Sequence, residues 1–180
     1  MRFRVVAVVL TCLACTAPAA EAWEEGAATR GISPQTPDDL RAGIESKHPA
    51  MYYALAKRLF EAGARDEAVF WFYVGQIRFR SYLASHPNLK PDGDPALFTA
   101  LSEMVGRPLN AYAFGNIPAL AAIIERALTW DAAHEDPFTP RGVARERVRA
   151  GLFALKADLV ANPEKYRAQR AADGLDNRAR

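Results

Sequence analysis

Residues 50–83, AMYYALAKRLFEAGARDEAVFWFYVGQIRFRSYL, decide the fold. In the first half, Met51, Leu55, Leu59 and Phe60 fall on one face with Tyr52 and Ala56 beside them. Lys57, Arg58 and Glu61 turn outward, as an amphipathic helix requires. Gly63 can take the left-handed conformation that closes a helix, and Asp66-Glu67 place negative charge at the start of the next one. That second half is apolar without a break from Ala68 to Val74. A helix that is apolar all round must be covered on every side, so it belongs at the centre of an all-α domain. A strand signal competes, because Phe70–Val74 is β-prone and Ile77-Arg78-Phe79-Arg80 alternates. The run is far longer than an ordinary strand, which favours helix. In a helix, Ala68, Phe72, Gly75, Phe79 and Leu83 form one seam and Phe70, Val74 and Ile77 a second, with Gly75 admitting a close neighbour. Leu55, Leu59, Trp71, Phe72 and Phe79 are the expected core anchors.

This hairpin resembles a tetratricopeptide unit. Tyr52, Leu55, Ala56 and Leu59 have the spacing of that family's first helix, and Ala68-x-x-x-Phe72 that of its second. Ala68-x-x-Trp71-Phe72-x-x-Gly75 is similar to the second helix of the Sel-one-like variant. Arg80 stands where the family places a proline, and a step of one repeat from Ala68 and Phe72 lands on Ser102 and Gly106, so no second copy follows in register. The resemblance implies a helical hairpin and a protein-binding role. The expected architecture is an irregular bundle of about six to seven helices built around the hairpin.

Upstream, Met1-Arg2-Phe3-Arg4 is a short basic start, Val5–Ala14 is apolar, and Ala17-Pro18-Ala19 is a small-x-small cleavage pattern. These are the parts of a secretory signal peptide, residues 1–19, followed by a lead-in over 20–35. The apolar run is too short for a bilayer span, which needs about 20 residues. Cleavage after Ala22 has the same form. Leu13-Ala14-Cys15 also permits a lipoprotein reading with Cys15 acylated, although Cys12 occupies a position where an aliphatic residue is usual. Both cysteines lie within the leader, and a disulfide-free exported domain fits a periplasm. Losing Arg2 and Arg4 leaves the remaining lysines and arginines balanced against 21 acids. A neutral chain argues against nucleic acid, whose binding rests on phosphate neutralisation.

Residues 36–172 read as one helical domain and 173–180 as a frayed polar tail. Thr36-Pro37-Asp38-Asp39 is a capped helix start. Pro49 opens the hairpin, residues 85–95 form a loop, and Asp94-Pro95 starts a helix ended by Gly106-Arg107-Pro108. Asn116 caps a helix over 117–132 with Leu120, Ile123, Ile124, Ala127 and Leu128 inward. Thr139-Pro140 begins a long helix to Ala161 with Val143, Leu152, Leu155 and Leu159 inward, and Asn162-Pro163 restarts a short one through Tyr166.

No reaction is spelled out. His48 and His86 precede prolines at helix borders and read as capping or loop residues, and His134 has no second histidine four residues away, so the zinc-protease pattern is absent. Asp92-Gly93-Asp94 lacks the rest of a calcium loop. Neither metal nor cofactor is expected. Arg141, Arg145 and Arg149 recur every four residues and are expected to project from one side of a helix, where they would steer an acidic partner. The leading expectation is an exported, non-catalytic protein-binding domain and, within that class, an inhibitor or immunity protein for an envelope-acting toxin or enzyme. The alternatives are an envelope enzyme using an acid pair near His134–Asp136, and an envelope assembly factor tethered through Cys15.

Overall fold

At the turn between the two halves of the hairpin, Gly63 takes φ 85°. The Ala64 N–H reaches back to the Leu59 carbonyl at 2.9 Å, and the Gly63 N–H to that of Phe60 at 3.1 Å. This is a left-handed closure that satisfies the last carbonyls of the first helix. A computed structural model describes residues 35–178; the expected leader over residues 1–19, Cys15 and most of the expected lead-in lie outside them. Every regular element among the described residues is helical: α1 (Pro37–Arg41), a 3-10 turn (Ile44–Ser46), α2 (Ala50–Glu61), α3 (Arg65–Ser85), α4 (Asp94–Leu101), a π turn (Ser102–Gly106), α5 (Arg107–Ala113), α6 (Ile117–Ala133), α7 (Val143–Ala161) and α8 (Pro163–Ala172). Because the π turn joins α4 to α5, these make seven helical rods, an all-α bundle.

Helix α3 is the axis. Ala68 to Gly75 are all buried, as are Ile77, Arg78, Phe79 and Ser81, and α2, α5, α6 and α7 all pack against it. The anchors Leu55, Leu59, Trp71, Phe72 and Phe79 are buried. Gly75 brings α2 in: a Cβ there would stand 2.8 Å from that of Tyr52. The Trp71 and Trp130 rings meet edge to face with centroids 5.3 Å apart, which joins α6 to the same core.

Two helix starts, those of α1 and α6, carry the side-chain caps expected of them. Thr36 and Asp39 form a reciprocal capping box at α1. The Thr36 hydroxyl and backbone N–H both donate to Asp39 and hold its carboxyl below the usual range. Asn116 caps α6 by accepting from the Ala119 N–H at 3.1 Å.

Four boundaries differ from expectation. The helix begun at Asp94 does not stop at Gly106-Arg107-Pro108 but continues to Ala113 through the π turn. The wider turn is a bulge that accommodates a residue without an N–H, and Gly106 packs against the Phe72 ring, where a Cβ would lie 2.9 Å from Cζ. Helix α7 starts at Val143 behind Gly142, so Arg141 precedes it, and Val143 is 77% exposed instead of inward. Helix α8 runs on to Ala172. The segment after it is tied down through Arg178 and not frayed: buried Arg170 donates to the Ala111 and Asp176 carbonyls, and the Arg178 N–H to that of Gly115 at 2.8 Å.

Candidate functional site

The expected arginine face is a helix cap. Helix α6 carries Asp131 and no basic residue in its last turn, so its terminal carbonyls and an acid share the negative pole of the helix dipole. Four arginines from outside converge there. Arg78, 1% exposed, donates from Nε to Asp131 Oδ1 at 3.1 Å and from its terminal nitrogens to the Glu135 and His134 carbonyls at 2.8 and 2.9 Å. Arg145, 3% exposed, donates to the Asp131 carboxylate at 2.9 Å and to its carbonyl at 2.6 Å. Arg149 donates to Asp131 Oδ2 at 2.6 Å and to the Leu128 carbonyl at 3.1 Å. Arg141 reaches the Ala132 carbonyl and pairs with Glu135 at 2.8 Å.

The outward-facing stripe of Arg141, Arg145 and Arg149 is therefore corrected. The spacing of four does put Arg145 and Arg149 on one side of α7, but that side faces α6, where Asp131 needs cations. Only Arg141 is largely exposed. Sequence reasoning missed Arg78 and Asp131. The usable signal was an acid at the C-terminal end of a helix facing an arginine inside an otherwise apolar helix.

Next to this cap lies a shallow depression edged by Glu45, Ser46, His134, Glu135, Asp136 and Arg141. The acid pair is split by environment. Glu135 is 80% exposed, and hydrogen bonding and charge from Arg141 hold its carboxyl below the usual range. Asp136 is buried; burial pushes its carboxyl up, against the pull of Arg78 at 3.7 Å. Its Oδ1 accepts from the Phe138 N–H at 3.1 Å. The His134 ring stacks on Trp130 at 4.0 Å, and its Nδ1 lies 2.7 Å from the Trp130 carbonyl. His48 lies just before α2, whose N-cap is Pro49, and its Nδ1 accepts from the Ala50 N–H at 3.2 Å.

A second concavity, of about 540 Å³, opens between α3, α5 and α7. Its apolar surface comes from Phe72, Ile77, Phe114, Val148, Leu152 and Leu155. Leu152 and Leu155 were expected in the core, yet they are only half-buried because α7 leans on α3 without closing this groove. Polar groups cross it in a chain. Arg80 Nε donates to the Gln76 side-chain Oε1 at 2.7 Å, the Gln76 side-chain amide donates to the Tyr53 hydroxyl at 2.9 Å, and the Tyr73 hydroxyl donates to Asn110 Oδ1 at 3.2 Å. Two exposed guanidinium groups, Arg80 and Arg147, stand on the lining, which carries no carboxylate. Neither pairs with an acid among the described residues. Gly151 sits on the wall inside α7, and a Cβ there would meet nothing within 4 Å.

No family model matches the chain, and no solved structure matches it. Over 88 residues, 48% of this chain, it is 38% identical to an uncharacterised protein of Haemophilus influenzae. The match spans only about a third (33%) of that relative's length.

Proposed function

We propose that the chain is an exported, non-catalytic helical domain that binds another protein through the cleft between α3, α5 and α7. Inhibition of an envelope-acting toxin or enzyme, in the manner of an immunity protein, is the role such a domain fits. The observation that carries this reading is the cleft. It has the size of a recognition pocket, an apolar surface and a few placed polar groups, and it is built on the rigid central helix. The leader-like start of the chain supports export. The arginines first assigned to partner steering are committed to α6, which leaves the cleft as the stronger recognition surface. Affinity purification of the tagged protein from its own cells provides the test, with Gly151→Trp as the matched variant. A Cβ at this position meets nothing within 4 Å, and a melting curve of the variant checks that it folds. A partner held by the natural chain and lost by the variant supports the reading, and one held equally by both contradicts it.

The split environments of Glu135 and Asp136 favour a second reading, an envelope enzyme, since an acid and a base at one pH need carboxyl groups shifted apart. Under that reading a Glu135→Gln, Asp136→Asn double variant loses turnover. Under the binding reading it leaves partner capture unchanged.

A further inference from the structure

The cleft carries two guanidinium groups and no carboxylate, and this charge identifies the chemistry of its occupant. We propose that it takes a short acidic peptide segment of the partner, in which apolar side chains are interspersed with carboxylates; this rests on the cleft being the protein-binding surface. The Tyr73 hydroxyl and the Gln76 amide are already engaged within the protein. The groups left to meet a ligand include the terminal nitrogens of Arg80, the guanidinium of Arg147, the Asn110 amide nitrogen and the Ser102 hydroxyl, which has no hydrogen-bond partner of its own. With no acidic residue on the lining, a cationic ligand is repelled, a neutral apolar one leaves two guanidinium groups unanswered, and an anionic one pairs with both. The apolar wall of Phe72, Ile77, Leu152 and Leu155 asks for aliphatic or aromatic side chains between those carboxylates.

Gly151 argues for a peptide over a lipid chain. At this position the α7 wall is bare backbone facing open space, and such a gap lets another main chain come close. A hydrocarbon chain is held best by enclosure over most of its surface, whereas this cleft is only about half enclosed.

The test uses three fluorescent peptides of one length with the same leucine and phenylalanine residues, the intervening positions being glutamate, glutamine or lysine. The proposal predicts that the glutamate peptide binds roughly tenfold tighter than the glutamine peptide at low salt. That advantage should shrink as sodium chloride is added. An Arg80→Glu, Arg147→Glu double variant, whose own melting curve shows that it remains folded after losing the Arg80 contact to Gln76, should now prefer the lysine peptide. Gly151→Trp should abolish binding of every peptide. Equal binding of the glutamate and glutamine peptides, with Gly151→Trp still blocking both, overturns the acidic assignment and leaves the cleft as the binding surface. Binding indifferent to Gly151→Trp, or no binding by any peptide, overturns the proposal. So does sodium dodecanoate binding saturably and displacing the glutamate peptide, because the occupant is then a lipid chain.

Discussion

Asp131 accepts hydrogen bonds from three guanidinium groups while its side chain is fully enclosed. Breaking a buried ion network by deleting one member leaves its partners charged and uncompensated, which typically costs about 3–5 kcal/mol. Asp131→Ala is therefore expected to destabilise by about that amount in urea unfolding. Glu125→Ala, which removes an exposed pair with Lys156, should change stability by less than about 1 kcal/mol. The same reasoning separates the arginines. Arg141→Glu is tolerated at the surface, whereas Arg145→Glu sets a second carboxylate against Asp131 and should prevent folding. At this scale the apolar anchors were legible, since an unbroken run such as Ala68–Val74 has only the interior to occupy. Arg78 was not, because alternation with Ile77 and Phe79 reads equally well as a strand, and its partner lies on a distant helix whose packing the local pattern does not encode.

Two glycines in α3 and α7 share one chemistry and should respond in opposite directions. At Gly75 a methyl group would collide with the Tyr52 Cβ at 2.8 Å, so Gly75→Ala forces α2 away from α3 and should destabilise by about 1–3 kcal/mol. At Gly151 the methyl enters open space, so Gly151→Ala should stabilise by about 0.5–1 kcal/mol through helix propensity alone. Thermal melts of the two variants check both signs. The junction of α7 and α8 offers a titration test. Asp158 accepts from Tyr166, from Lys165 at 2.9 Å and from Asn162 at 2.7 Å, which lowers its carboxyl pKa to about 2, the Tyr166 hydrogen bond contributing most. A carboxyl depressed in the folded state favours folding above its unfolded value and loses that contribution as pH falls through about 2. Carboxyl-detected NMR should find that low value, and Tyr166→Phe should move it upward. Element boundaries were legible where a cap marked them, as at Thr36, Gly63 and Asn116. They failed at Pro108 and Pro140, where proline was read as punctuation while the π turn and Gly142 set the actual limits.

For the whole molecule, the class of fold followed from a single element: a helix apolar on every side dictates a bundle around itself. The cleft was not legible, because it arises from α7 covering α3 incompletely, so that Leu152 and Leu155 look like core residues in the sequence and stand half-open in the fold. Export gives a prediction on the intact chain. The protein recovered from its cells should begin at Ala20 or Trp23 and carry no acyl mass, and an acylated Cys15 terminus would favour the tethered assembly factor instead. The claim that most needs testing is that recognition happens at the cleft and not at the capped end of α6. Photo-crosslinking residues placed singly at 147 and 151 on the cleft, and at 135 and 141 beside the cap, address it in the native cell. The account predicts one protein adduct from 147 and 151 and none from 135 and 141. Adducts confined to 135 and 141, with 147 and 151 silent, would contradict it.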